Sequence, residues 1–566
     1  MSTVEDDRSS QSSSVSNSSA STKSLDTQTT DTCKKKDEIQ IIVRPVDATP
    51  ILVRDLIPMR VWVASIVGMT ERAAYYSSIV MIQNYVQNDV TDALRPGILG
   101  LGQAKATQIQ FAFVGVMSVT PVAGACIADS RLGRHKTMLV TFPFFIIGLL
   151  VLCILSFNTD TARSGGVGAL LMCLLLLAIG SGGIKANVNA FIGDQYVPST
   201  VEAFREHNGT DYEPDHALTL QHIYSVYYWL INIGSLAGIG TTLLEAQIGF
   251  GFAFLVPLIL ITLGFILFVA YSRSFVKRGP AKGNLTHAFA YASHNVKQSW
   301  SKRVTKKSNQ LSTPSNYDAQ FSRDMKTTWK LCRIFATFTF AWLCWDQGGN
   351  NFISQAGQMH TSGIPNDMFY FLNPILVIVL LPIFEKWIYP FLRSRGAKLD
   401  PITRMLIGHV VLTASMVYAA VLQHIIYSKG PCYEYPRFCE EVSRSREPNA
   451  VSAFMQVPLY LLQSVAEIFS QIAAIEYAFG GAPENMKSIM QAIMSSFGSV
   501  GSLLGVAMAP ASKDPWMVYV YSSLAGGMAV TAACFWLFFV RCRSVDMISE
   551  ASSNVEVVVV QDLKEV

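Results

Sequence analysis

The sequence predicts an all-α integral membrane protein whose twelve transmembrane helices form two halves of six. Half of its 566 residues are hydrophobic and only 15% are charged, whereas a soluble domain is about 25% charged. Apolar stretches long enough to cross a bilayer, about 20 residues each, recur twelve times. A basic hydrophilic segment separates the first six stretches from the last six.

The first half is expected at 56–271 and the second at 329–540. The predicted spans of the first half lie near 61–86, 107–128, 137–157, 167–192, 219–243 and 249–271. Those of the second half lie near 331–353, 368–391, 403–427, 451–480, 486–510 and 516–540. Several spans exceed 20 residues because polar side chains interrupt them.

The distribution of basic residues predicts the orientation. The linker 272–328 contains eleven Lys or Arg residues and two acidic residues, and basic loops remain on the cytoplasmic side of a membrane. An even number of crossings then places both termini in the cytoplasm, as a disordered Ser/Thr-rich tail at 1–55 and a second tail at 541–566. The net charge of only +4 does not indicate nucleic-acid binding.

The ten cysteines show no metal-binding spacing, so no metal site is expected. Cys432 and Cys439 differ from the rest because they lie in the polar loop GPCYEYPRFCEE between spans 9 and 10. The predicted orientation places this loop outside the cell, where a disulfide is stable. We predict that disulfide; the alternative is two unpaired cysteines in a cytosolic loop.

Charged side chains occur inside spans that are otherwise apolar. They are Glu71, Arg72, Lys185, Asp346 and Glu467. A charge at the bilayer centre costs about 2.5–3.5 kcal/mol on insertion scales, so such groups normally face a protein interior or a water-filled path. Two cations and three anions from four spans predict one polar cavity, suited to a solute that carries both charges.

Polar residues at four-residue spacing extend this pattern, because such residues share one face of a helix. The sets are Glu71 with Tyr75, Arg72 with Tyr76, Tyr224 with Tyr228 and Asn232, and Gln463 with Glu467 and Gln471. Polar side chains also join membrane helices without any binding role. The spacing alone therefore leaves helix packing open as the alternative, most clearly for Asn373 in span 8.

Several motifs resemble those of known transporters. ADSRLGRHKT, from Ala128, is similar to the loop signature between spans 2 and 3 of the major facilitator superfamily. A further series of motifs resembles, in the correct order, those of the proton-dependent oligopeptide transporters, in particular the fungal ones. These motifs are TERAAYY, SGGIKANVNAFIGDQY, YYWLINIG, WDQGGNNFISQAGQM, LNP and AEIFSQIAAIEYAFGGAPENMKS. The resemblance covers nearly all of 61–540.

The resemblance implies a secondary active transporter that imports di- and tripeptides by proton symport with alternating access. Its partners would be small peptides or peptide-like solutes, protons and the lipid bilayer, and its location the plasma membrane. The resemblance implies no cofactor beyond the coupling proton. No covalent bond changes in such carriage, so the protein is not expected to be an enzyme.

The resemblance also implies roles for individual residues. Arg72 and Lys185 would bind the peptide carboxylate by charge-assisted hydrogen bonds. Glu467 would bind the amino terminus, with Asn232 and Asn373 as neutral partners.

The remaining site residues are assigned to side-chain contact and to proton handling. Tyr75, Tyr76 and Tyr228 would line pockets for the peptide side chains. Glu71 and Asp346 would act in proton coupling or gating.

One departure from the family pattern affects energy coupling. Gly68 stands where the motif of span 1 has a glutamate, three residues before Glu71, and Ala73 stands where it has a phenylalanine. The missing glutamate would have paired with Lys185, and the smaller side chains are expected to enlarge the cavity beside span 1.

The departure at Gly68 keeps two other functions open. The first is an exporter or facilitator of a peptide-like metabolite or another nitrogenous solute with altered proton coupling. The second is a receptor or sensor that does not transport.

Overall fold

The computed structural model describes residues 51–541 apart from 54, 93–94, 198–203, 206–210, 215, 281–331, 397–398, 437–447 and 482–486. Both predicted tails, except for a few residues next to the spans, and most of the predicted linker lie outside the described residues.

Helices occupy all six predicted spans of the first half. They are α1 Met59–Ile79, α2 Ile82–Gln87, α3 Gln103–Ile127, α4 Arg134–Phe157, α5 Thr159–Gln195, α6 His216–Ser235, α7 Ala237–Gln247 and α8 Phe250–Ala270. A π-helical turn, Ala128–Leu132, extends α3 and ends at Gly133, whose φ of 76° separates it from α4. Gly166, with φ of 56°, breaks α5 directly before the predicted start of span 4.

Helices also occupy the six predicted spans of the second half. They are α9 Phe338–Trp345, α10 Asn351–Ala356, α11 Leu372–Ile383, α12 Tyr389–Ser394, α13 Pro401–Ser428, α14 Val457–Gly481, α15 Lys487–Met508 and α16 Met517–Phe535. Short 3₁₀ segments lie at Asp346–Gly349, Met368–Phe371, Ala453–Gln456 and Ala509–Ala511, and π-helical segments at Phe384–Ile388 and Trp536–Arg541.

In the described residues, nine helical runs are long and apolar enough to cross a membrane. The other three predicted spans, the first, fifth and seventh, are divided into α1 and α2, α6 and α7, and α9 and α10. These three spans carry predicted site residues, as the undivided fourth, eighth and tenth spans also do.

Two small sheets lie outside the helices in the part of the chain that the structure describes. Strand β1, Ile51–Val53, pairs in parallel with β3, Asp211–Pro214, which pairs antiparallel with β2, Phe204–Arg205. Strand β4, Met359–His360, pairs in parallel with β5, Asn449–Ser452.

Each half has its own apolar interior. A large cluster of buried side chains packs mainly among α1–α8, joined by Ile353 and Phe371, and further clusters pack mainly among α9–α16, joined by Phe111 of α3. The halves meet mainly where α3 packs along α15. This division matches the two six-helix halves expected from the sequence.

Hydrogen bonds between the halves are concentrated at one end of the bundle, which we call the distal end: residues 83–103, 241–249 and 351–367. Gln83 bonds Ser354 at 3.0 Å, and Gln103 bonds Asn351 at 3.2 Å. The opposite, proximal end includes Asp194, which binds Arg134 of the first half at 2.6 Å and Arg278 of the linker at 3.2 Å. The halves are therefore joined at the distal end in this structure.

Candidate solute-binding site

A cavity of about 420 Å³ lies between the halves, on the proximal side of the distal contacts. Along α14 its wall runs from Tyr460 to Ile475. The predicted site residues in the wall are Arg72, Tyr75, Tyr76, Lys185, Tyr228, Asp346, Asn373 and Glu467. The first half contributes the two cations and the second half the two carboxylates.

The Glu71 side chain does not line the cavity. It is fully buried and pairs with Arg72, whose Nε and Nη2 lie 2.5 and 2.6 Å from its oxygens. The Ser181 hydroxyl donates to Glu71 and accepts from Arg72 Nη2 at 3.2 Å. Of the two adjacent charges, only Arg72 reaches the cavity, where no described residue accepts a hydrogen bond from its Nη1.

Lys185 lies in the same wall as Arg72. Its ammonium is within electrostatic range of Arg72, Glu71 and Asp346, but it makes no hydrogen bond or ion pair with a described residue. Asp346 accepts a hydrogen bond from Ser502 at 3.1 Å. Lys185 is thus available to an anionic solute group, with Asp346 as a nearby counter-charge.

The Glu467 carboxylate is positioned by a short chain of hydrogen bonds. Asn373 Nδ2 donates to Glu467 at 2.9 Å, and the Ser464 hydroxyl donates to Asn373 Oδ1 at 2.6 Å. Asn373 therefore acts as a positioning residue for the carboxylate. Tyr76 lines the same cavity as Arg72 and Glu467 and lies within electrostatic range of both.

The stripe predicted on span 5 is only partly in the cavity. Tyr228 lines it, whereas Asn232 donates to the Tyr228 carbonyl at 2.8 Å and is not part of the wall. Tyr224 donates to the Asn189 carbonyl at 3.2 Å. The assignment of Asn232 to solute binding stays a prediction, and the structure places it beside Tyr228.

Three residues of the site region were not predicted from the sequence: Ser181, Ser464 and Tyr227. Ser181 and Ser464 each lie within four residues of a predicted charge, Lys185 and Glu467, so spacing offered a signal for both. Tyr227 carried no such signal, because its role depends on how closely α6 approaches α1.

The space beside Gly68 is filled. A Cβ added there would lie 2.6 Å from the Tyr227 hydroxyl and 2.7 Å from its ring. Tyr227 is itself buried and within electrostatic range of Arg72 and Glu71. The expectation that Gly68 enlarges the cavity is therefore wrong: a phenol occupies the volume that a larger side chain would need.

Restoring the motif by Gly68→Glu alone is expected to fail. Overpacking of this kind typically costs about 1–3 kcal/mol, so we expect lower thermal stability and less uptake. Gly68→Glu combined with Tyr227→Ala should recover much of the stability, because it removes the colliding ring. Thermal unfolding of both variants checks this, and equal stability of the single variant and the wild type would contradict it.

The predicted disulfide is only half described. Cys432 is disulfide-bonded, while Cys439 lies outside the described residues. Their pairing stays a prediction.

A bundle of two six-helix halves, with a cavity between them that is lined by both cationic and anionic side chains, is the architecture of a membrane transporter. The PTR2 model, described as the POT family, matches residues 135–523, more than half of the chain. The peptide transporter PTR_A of Candidozyma auris is 32% identical over 86% of this chain and 82% of its own length. The peptide transporter PTR2 of Saccharomyces cerevisiae is 31% identical over 85% of this chain and 79% of its own length.

The chain belongs to the POT family, the proton-dependent oligopeptide transporters. A crystal structure of the POT family transporter PepTSo shares its fold, with a TM-score of 0.67 at 20% identity, over 87% of this chain and 99% of that one. The family resemblance and the fold class predicted from the sequence, an all-α membrane protein with the major facilitator arrangement, are both confirmed.

Proposed function

We propose that this protein is a secondary active transporter that imports di- and tripeptides by proton symport. One observation carries the proposal: the cavity receives its cations from the first half and its carboxylates from the second. A zwitterionic peptide would satisfy both, with its carboxylate at Arg72 and Lys185 and its ammonium at Glu467. Binding would then link the halves electrostatically.

Alternating access would follow from the same arrangement. The halves are joined at the distal end, and the cavity lies on the proximal side of that contact. Rocking of one half against the other would break the distal contacts and expose the cavity to the distal side. We place the protein in the plasma membrane with both termini in the cytoplasm. The proximal side would then face the cytoplasm, and this structure would be the inward-facing state.

Proton coupling is assigned to Asp346 rather than to Glu71. The Glu71 carboxylate is held by Arg72 and Ser181 and sealed from the cavity. Asp346 lines the cavity and acts electrostatically on Lys185. Protonation of Asp346 would remove that interaction and leave Lys185 to the peptide carboxylate. The protein would act as a carrier that changes no covalent bond and uses protons without a cofactor.

The test is uptake of a labelled dipeptide into liposomes containing the full-length protein, with and without an inward proton gradient. We expect accumulation only with the gradient, and exchange without accumulation in Asp346→Asn. Exchange alone in the wild type would favour the exporter or facilitator, and saturable binding without flux would favour the receptor.

A further inference from the structure

Two carboxyl groups meet inside the distal contact between the halves. Glu245, near the end of α7, is 2% exposed, and Asp367, directly before Met368–Phe371, is fully buried. They belong to different halves, which meet here because α7 packs against the segment Met368–Phe371, and the two carboxyl groups interact with each other. Neither lines the cavity described above.

Neutral amides surround this pair. Asn84 donates to one oxygen of Glu245 at 3.1 Å and exchanges hydrogen bonds of 3.1 and 2.9 Å with Asn366. Asn366 also donates to the Ile353 carbonyl at 3.0 Å. In the described chain, the second oxygen of Glu245 and both oxygens of Asp367 accept no hydrogen bond.

A proton is the ligand that such an arrangement lacks. Two ionised carboxylates cannot donate to each other, and burying both without a cation is strongly unfavourable. One shared proton supplies the missing donor and removes one charge. Burial raises the pKa of Asp367 to about 6.

Charged groups on the packed elements do not replace that proton. α7 packs against α1, α6, α8 and the segment Met368–Phe371. Helix α1 carries tyrosines, the Glu71–Arg72 ion pair and, beside its first residue, an arginine. Helix α6 carries tyrosines and, near its first residues, histidines. Helix α8 carries no titratable side chain. The segment Met368–Phe371 contributes only the phenol of Tyr370.

The loop after α2 carries the nearest further charges. Asp89 pairs with Arg163 at 2.9 Å. Arg95 is buried in the same loop. The charged group that acts on the Asp367 carboxyl is Glu245, and not Asp89 or Arg95.

We propose that the closed distal end binds one proton, shared between Glu245 and Asp367, which enters when the halves meet there and leaves to the distal side when they part. This rests on the alternating access proposed above but not on the identity of the solute. The pair is a second proton site, distinct from Asp346, and it makes closure of the distal end dependent on pH on that side.

The sign follows from the two states. When the distal end is open, the two carboxyl groups are apart and hydrated, and each has a pKa near 4. When it is closed, at least one of them has a higher pKa. Acid therefore favours the closed distal end. The ratio of closed to open molecules should fall by up to tenfold per pH unit from about pH 4 to the pKa of the pair, and level off above it.

The experiment measures this ratio without any solute. Spin labels on noncanonical side chains at the exposed positions Ile248 and His360 report the width of the distal end in full-length protein in nanodiscs. The pH is varied from roughly 4, the pKa of a hydrated carboxyl, to roughly 8. We expect the wild type to open as the pH rises. Asp367→Asn should remain closed throughout, because its amide donates to Glu245 without a proton.

Glu245→Gln provides an independent variant and should also lose the pH response. Asp160→Asn, which changes an exposed carboxyl at the start of α5, is the control and should respond like the wild type. A wild type that does not respond, or one whose response persists in both Asp367→Asn and Glu245→Gln, would overturn the proposal. Because no peptide is present, failure of the liposome uptake experiment would leave this result unaffected.

Discussion

Arg72→Met is expected to abolish peptide uptake and to lower the free energy of unfolding by about 3–5 kcal/mol, the usual cost of removing one partner of a buried ion pair. Glu71 would lose both Arg72 contacts, of 2.5 and 2.6 Å, and keep only its bond from Ser181. The cavity would also lose a cation from its wall. Uptake of labelled dipeptide and thermal unfolding measure the two effects separately.

The double variant Glu71→Gln with Arg72→Met is the matched control. Removing both charges should restore most of the stability, because no uncompensated charge remains buried. Uptake should remain absent, since the carboxylate site is still incomplete. Recovery of uptake in the double variant would show that Arg72 serves the fold and not the solute.

Glu467→Gln is expected to remove recognition of the peptide amino terminus while leaving the fold intact. Glutamine has nearly the same shape and its oxygen can still accept from Asn373, which donates to Glu467 at 2.9 Å. It lacks the charge that attracts an ammonium group. A hydrogen bond to a charged group is worth about 1.5–3 kcal/mol, or roughly 10- to 150-fold in affinity.

Binding of a dipeptide and of its N-acetylated form should be compared. The wild type should prefer the free amino terminus by roughly the factor given above, and Glu467→Gln should bind both forms equally weakly. Asp346→Asn is the control: it also removes a carboxylate that the second half contributes to the cavity, but it should retain the preference. An unchanged preference in Glu467→Gln would exclude its assigned role.

The twelve helical positions could be predicted because each depends on a local property. A segment crosses a bilayer when its own side chains are apolar and its backbone hydrogen bonds are satisfied within the helix. The charged residues inside spans could likewise be assigned to one cavity. A charged side chain is costly in lipid at whichever helix it lies, so it must face a protein interior or water. Arg72, Lys185, Asp346 and Glu467 all line that cavity.

The direction in which each polar side chain points could not be predicted. Glu71 and Arg72 are adjacent in the sequence, yet one is sealed in a buried ion pair and the other faces the cavity. The outcome depends on the rotation of α1 against α5, where Ser181 contacts both residues. Asn232 shows the same limit: it follows Tyr228 on one face of α6, yet only Tyr228 lines the cavity.

The sequence by itself determined the membrane class, the two six-helix halves, the family and most charges of the cavity. The tertiary structure alone decided that Tyr227 fills the space beside Gly68, that Glu71 is closed off, and that Glu245 meets Asp367. The physical reason is that the free energy of transfer into a bilayer depends on the residues of one segment alone. A contact between two helices depends on how the two are positioned relative to each other. Residues 122 apart, such as Glu245 and Asp367, are neighbours only once both halves have folded and met.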